Sequence, residues 1–105
     1  MELIKQMYCK KLYGEYQKFK RELLRMGKNE VFANAYKIDI MITLYEILLE
    51  KAESLSEKVL WDMLLQPNLL ETYYLRWMGK KDSHFEELLE HVEEELMEEE
   101  LQLAS

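Results

Sequence analysis

Residues 29–52 read NEVFANAYKIDIMITLYEILLEKA, and this stretch decides the fold. Its polar residues thin to one narrow line, Glu30, Asn34, Lys37, Thr43, Glu46 and Glu50, with apolar residues around most of the rest. A helix with one apolar stripe lies on a surface, whereas one apolar over most of its circumference has to be surrounded. The stretch therefore predicts a central helix over residues 30–52, with a kink in the 36–39 region, where Asp39 is a poor interior helix residue. Asn29 is placed to cap it.

The stretches on either side read as helices that enclose it. Before it, Tyr8, Leu12, Tyr16, Phe19, Leu23 and Met26 recur every three or four residues, one face of a helix over residues 2–26. Lys11, Lys18 and Arg25 fall on the other face, with Lys10, Arg21 and Lys28 beside them. Gly14 inside this helix costs about 1 kcal/mol relative to Ala and predicts a neighbouring chain passing close. Gly27 fits as the left-handed residue that stops the helix.

After the central stretch, Ser54 with Glu57 reads as a capping box, and Ser56 between Leu55 and Leu60 as a hydrophobic staple; either serine can start a short helix over residues 57–65. Pro67 breaks it. Asn68 with Glu71, and Ser83 with Glu86, are two further capping boxes, opening helices over residues 69–78 and from 84 to about 101. In the last of these, Phe85, Leu89, Val92 and Leu96 form a seam, and nine glutamates between Glu86 and Glu100 cover the rest. Glu98, Glu99 and Glu100 oppose the negative end of the helix dipole, so fraying is expected from about Met97.

The expected fold is thus all-α: a compact single-domain bundle of about five helices, residues 1–105, around a central apolar helix enclosed by the first, fourth and fifth. A chain of 105 residues, 49% apolar, is one domain that can bury roughly 65% of its unfolded surface. Three glycines and one proline leave little material for hairpins. The one cysteine, Cys9, cannot form an internal disulfide and reads as a small apolar residue beside the first helix's buried face. No signal-peptide pattern and no apolar run of about 18 residues are present, which makes a cytoplasmic location the expectation.

Charge is unevenly spread. The net charge is −7, yet residues 1–40 carry nine Lys/Arg against five Asp/Glu, and residues 41–105 five against sixteen. An acidic chain is repelled by nucleic acid overall and attracts basic protein surfaces.

No Ser/His/Asp set, phosphate loop or Cys/His zinc spacing is present. His84, Glu87 and His91 can share a helix face, but one helix supplies only one side of a coordination sphere, so they read as a solvated surface. Glutamates on one exposed face share one environment and do not split into acid and base. The expectation is a protein that is not an enzyme, with no cofactor, no catalytic residue and no metal site. The acidic run reads instead as a docking surface, with Glu90, Glu94, Glu95 and Glu98 as contacts. Trp61, Tyr73, Tyr74 and Trp77 crowd around Pro67; most belong in a core, with Trp61 and Tyr74 expected to reach the surface and join the contacts.

The runs Asn34-Ala35-Tyr36-Lys37-Ile38-Asp39-Ile40 and Leu64-Leu65-Gln66-Pro67-Asn68-Leu69-Leu70, the latter leading to Tyr73, Trp77 and Asp82-Ser83-His84, resemble an uncharacterised small helical domain family of gut bacteria and their phages and conjugative elements. The resemblance covers roughly residues 8–92; the family has no known activity, so it adds no catalytic residues. It implies a mobile-element setting, in which a small acidic helical protein is similar in kind to anti-CRISPR inhibitors. The function expected on that footing is an inhibitor that sets acidic and aromatic surface against a basic nucleic-acid-handling protein such as Cas9. A self-associating scaffold using the seam of residues 85–96 is one alternative. A nucleic-acid binder using Lys10, Lys11, Lys18, Arg21 and Arg25 is the other.

Overall fold

The computed structural model describes residues 2–79 and 87–104, with the side chains of residues 3–79 and 87–103. It is an all-α bundle. Six α-helices lie among the described residues: α1 (Glu2–Leu24), α2 (Lys28–Ala33), α3 (Ala35–Glu50), α4 (Glu57–Leu65), α5 (Leu69–Met78) and α6 (Leu88–Ala104). A 3-10 turn, Lys51–Ser54, follows α3. Ser83 and Glu86, expected to cap the last helix, lie outside the described residues.

The stretch read as one central helix is two. Its break falls at Asn34, ahead of the expected 36–39 region. The Asn34 side-chain amide donates to the carbonyl of Glu30 at 2.7 Å, and its backbone N–H bonds the carbonyls of Glu30 and Val31. An Asn that satisfies the preceding turn in this way ends a helix. Asp39 stays helical, with its side chain exposed and its carbonyl accepting the Thr43 hydroxyl at 2.9 Å. Asn29 lies inside α2, whose N-cap is Gly27 in extended backbone at φ −73° and not the left-handed residue expected there.

The second half of the stretch organises the core, although it is not fully surrounded. Ile40, Met41, Leu44, Ile47 and Leu48 are buried along one wide face of α3, while Ile38, Ile42, Tyr45 and Leu49 are half-buried and Asp39, Glu46 and Glu50 exposed. α1, α5 and α6 all pack on α3, as the apolar surplus predicts. Burying each Leu contributes about 1.5–3 kcal/mol.

α1 is a second organiser, packing on α3, α4 and α5. Ile4, Tyr8 and Leu12 are buried; farther along, Tyr16, Phe19 and Leu23 are half-buried. The expected stripe is therefore right in phase but fades toward the helix end. The Tyr8 hydroxyl donates to the Leu48 carbonyl at 3.3 Å, and the rings of Tyr16 and Tyr45 stack with centroids 4.3 Å apart. Cys9 packs against the core as expected, and burial pushes its thiol pKa up. Gly14 contradicts its reading: a Cβ there meets nothing within 4 Å, so no neighbouring segment of the chain requires the glycine.

Two helix starts are satisfied from a distance. Ser56 caps α4, accepting the Val59 N–H at 3.3 Å, while its own N–H donates to a Glu100 carboxylate oxygen of α6 at 2.7 Å. Asn68 adopts left-handed backbone at φ 53° and makes no side-chain cap bond. Its place is taken by Glu15 of α1, which accepts the Leu70 N–H at 2.8 Å. A carboxylate at a helix N-terminus also meets the positive end of the helix dipole.

In α6 the buried set is Leu88, Val92 and Leu96. Leu89, expected in the seam, is instead exposed, and Phe85 lies outside the described residues. Val92 and Leu96 are thus occupied within one chain. The helix also continues to Ala104, past Met97, where fraying was expected. Glu99 and Glu100 offset the unfavourable dipole by reaching neighbouring helices.

Candidate functional site

α6 separates its glutamates into two groups. One group is spent on the fold. Glu93 accepts the Lys51 ammonium at 2.9 Å, and this bond raises the Lys51 pKa. Glu95 faces Arg76 at 3.2 Å and His91 Nε2 at 3.5 Å. Glu99 lies 3.8 Å from Arg76, and Glu100 holds the start of α4.

The outward group is Glu90, Glu94 and Glu98. All three are exposed, and none forms an ion pair among the described residues. Glu90, Glu94, Met97 and Leu101 step by four, three and four residues, so they share one face, with Glu98 beside them. Met97 and Leu101 are each 65% exposed. The result is a ridge of carboxylates grading into two large apolar side chains.

The expected contact residues therefore divide. Glu90, Glu94 and Glu98 are brought together on the ridge. Glu95 is not: it is half-buried on the inner side and engaged by Arg76. Trp61 is 44% exposed on α4. Tyr74 is half-buried on α5, under the Lys37 ammonium at 4.9 Å from its ring centroid. Both aromatics stand on helices other than the one that carries the ridge. Met97 and Leu101 were missed because methionine and leucine near acidic residues read as core fillers; their spacing from Glu90 and Glu94 was the available signal.

The basic face of α1 is exposed as well. Lys10, Lys18, Arg21 and Arg25 reach solvent and form no ion pair among the described residues. Lys11 leaves this set, being paired with Glu15. The remaining cations of ion pairs tie helices together, as Lys5 does with Glu53 at 2.7 Å and Lys37 with Glu71 at 3.1 Å.

His91 corrects its reading as a solvated residue. It is only 8% exposed, with its ring edge-on to Trp77 at 5.4 Å. The Trp77 indole N–H in turn donates to the Tyr36 hydroxyl at 2.9 Å. His84 lies outside the described residues, and among those described no group of three or more metal-ligating side chains converges.

Two clefts open on the surface. One, of about 330 Å³, is lined by Glu15, Lys18, Phe19, Lys37, Met41 and Glu71. Its charged groups are largely neutralised in place, Glu15 by Lys11 and the Leu70 N–H, and Lys37 by Glu71. The other, of about 230 Å³, lies between α4, α5 and α6 and includes Asp62, Gln66, Arg76 and Glu99. Here the Gln66 amide donates to Asp62 at 2.9 Å. Burial, followed by the negative charge of Asp62, raises the Glu99 pKa. No helix among the described residues is long and apolar enough to cross a membrane.

The chain matches no family model, no curated protein and no solved structure.

Proposed function

We propose that this chain is a binding protein that captures a basic protein surface with the α6 ridge. The observation that carries the reading is the separation of glutamates on α6. Glu90, Glu94 and Glu98 stand exposed without an ion pair, while Glu93, Glu95, Glu99 and Glu100 of the same helix are consumed in holding the bundle. Exposed like charges repel and weaken a helix unless something opposite covers them. Met97 and Leu101 add apolar area that a partner can desolvate. The chemistry fits a surface of Lys and Arg around an apolar contact, such as a groove that otherwise holds phosphates.

The partner class to try first is a CRISPR nuclease of the Cas9 type, blocked by occupation of its nucleic-acid channel. The mobile-element setting implied by the sequence resemblance supports that choice. The steering would be electrostatic, so association slows as salt rises. The test is inhibition of a purified nuclease by the intact chain and by the Glu90→Gln, Glu94→Gln, Glu98→Gln triple variant. Loss of inhibition in the variant, with wild-type inhibition weakening from 50 to 500 mM salt, is expected. Equal inhibition by both chains refutes the ridge, and no inhibition by the wild type refutes the nuclease.

A second reading rests on the exposed cations of α1. Lys10, Lys18, Arg21 and Arg25 fit a phosphate backbone. It predicts retention of DNA or RNA at low salt, lost when these four become Gln; no retention by the wild type ends it.

A further inference from the structure

Gly14 has no explanation within one chain. A glycine in a helix interior weakens the helix relative to alanine. Its φ lies outside the left-handed region, and a Cβ there would meet nothing within 4 Å. Neither its own backbone nor a neighbouring segment requires it. Close approach of a second molecule would.

The side chains around Gly14 define what that molecule carries. Lys10, Tyr13, Gln17, Arg21, Leu24 and Arg25 recur at three- and four-residue steps, so they share the outer face of α1 with it. Tyr13 is 56% and Leu24 84% exposed. Lys10, Arg21 and Arg25 form no ion pair among the described residues. This face combines cations with large apolar groups, and its complement is a row of carboxylates beside apolar side chains. The chain itself carries such a surface, the α6 ridge of Glu90, Glu94 and Glu98 with Met97 and Leu101.

The two faces match in register as well as in charge. Laid antiparallel, Arg25, Arg21, Gln17 and Gly14 step back by four, four and three residues, while Glu90, Glu94, Glu98 and Leu101 step forward by four, four and three. Arg25 then meets Glu90, and Arg21 meets Glu94. Glu98 meets Gln17 with Lys18 beside it, and Leu101 lies over Gly14 next to Tyr13. A side chain at residue 14 would hold the helices apart where Leu101 has to seat. Within one chain the match is not made. α1 and α6 bury their opposite sides against α3, α4 and α5, and these charges stay unpaired among the described residues.

We propose that the chain associates with a second copy of itself, the outer face of α1 in one copy docking the α6 ridge of the other, antiparallel, with Leu101 over Gly14. Each copy presents both faces, so a two-fold pair makes the contact twice, whereas a single contact leaves an open chain. Exposed ion pairs are individually weak, so the association is modest in strength and sensitive to salt. The net charge of −7 makes distant copies repel. At about 0.1 M salt the Debye length is about 10 Å, which screens that repulsion more than it screens the close pairs. The inference rests on the binding reading in using the same exposed ridge, and it makes a second copy a competitor of any foreign basic surface.

The test is sedimentation equilibrium of the intact chain from about 10 μM to about 1 mM, the range in which weak contacts become populated. In about 0.1 M salt the wild type should gain mass with concentration, and its apparent dissociation constant should rise about tenfold or more by about 0.5 M. Arg21→Glu with Arg25→Glu should stay monomeric, as should Glu90→Lys with Glu94→Lys. Mixing these two variants should restore association, although both remain net negative. Gly14→Gln keeps every charge; it should weaken association about tenfold while raising the urea midpoint of the dilute monomer, because the helix improves. A purely local role for the glycine gives the reverse, a lower midpoint with association unchanged. A wild type that is monomeric at about 1 mM overturns the proposal, as does either charge variant, or Gly14→Gln, associating like the wild type. No nuclease enters this assay, so a monomeric wild type leaves the capture of a foreign partner standing, and failure to inhibit a nuclease leaves the self-contact standing.

Discussion

Replacing Tyr8 and Tyr73 by Phe, one at a time, should lower stability at Tyr8 but not at Tyr73. Both side chains are fully buried, and each change deletes one oxygen. The Tyr8 hydroxyl donates to the Leu48 carbonyl, tying α1 to α3 at 3.3 Å, a distance on the long side for such a bond. Its loss should cost about 0.5–1 kcal/mol. The Tyr73 hydroxyl is buried with no hydrogen-bond partner among the described residues. A hydroxyl in that state costs about 1–3 kcal/mol, so its removal should be neutral or stabilising by up to about 1 kcal/mol. The Arg76 guanidinium, 5.5 Å from the Tyr73 ring, keeps its aromatic face in the Phe variant. Urea unfolding followed by tryptophan fluorescence measures both, since Trp77 is buried and Trp61 half-exposed. With an m-value of roughly 1–2 kcal/mol/M for a chain of this size, the combined difference of about 0.5–2 kcal/mol puts the two midpoints about 0.3–2 M apart, Tyr8→Phe lower. A Tyr73→Phe midpoint as low as that of Tyr8→Phe would refute the reasoning, because it would show that the Tyr73 hydroxyl has a bonding partner.

The same two phenols should govern alkaline stability. Burial raises both above the ordinary value of 10.0, so the folded chain holds these protons more tightly than the unfolded one, and stability present below pH 10.0 should fall as pH rises beyond it. In a spectrophotometric titration Tyr8 and Tyr73 should ionise only together with loss of helical circular dichroism; their ionisation in a fully helical chain would contradict this. Ser56→Ala should cost about 1 kcal/mol through loss of the α4 cap, whereas Ser54→Ala, which removes only an exposed bond to the Lys51 carbonyl, should change urea stability by less than about 0.5 kcal/mol; equal costs would mean that the wrong serine has been taken as the cap.

The helices themselves were legible because burial imposes a period. Tyr8 and Leu12, or Val92 and Leu96, fall where a 3.6-residue repeat puts them. Phase was harder at α6, where Leu88 and Leu89 each extend an apolar row that includes Val92 and Leu96. The structure buries Leu88, together with His91, and a histidine between glutamates reads as a surface residue until Trp77 is known to lie beside it. The caps divide by range. Ser56 caps locally and can be found from its neighbours. The starts of α4 and α5 also draw on Glu100 and Glu15, which are 44 and 55 residues away, and no local motif contains such a bond. The break at Asn34 was hidden because Asn29, Asn34 and Asp39 are all plausible interruptions, and only the bond back to Glu30 selects one. On the candidate site, composition announced an acidic surface but not its division. Glu94 and Glu95 are chemically identical neighbours; Arg76 on another helix makes one structural and leaves the other exposed.

The packing of α1 sets the order in which the chain can become a bundle. α1 emerges from synthesis before the helices it packs on, yet its face of Ile4, Tyr8 and Leu12 rests on α3, α4 and α5, and Glu15 closes a contact with Leu70 across 55 residues. Until about residue 70 has emerged, that face has only part of its cover. Loop closure over such separations must precede the contacts that reward it. The nascent chain thus carries an uncovered aromatic and aliphatic face until those later helices follow, so α1 should draw chaperones during synthesis.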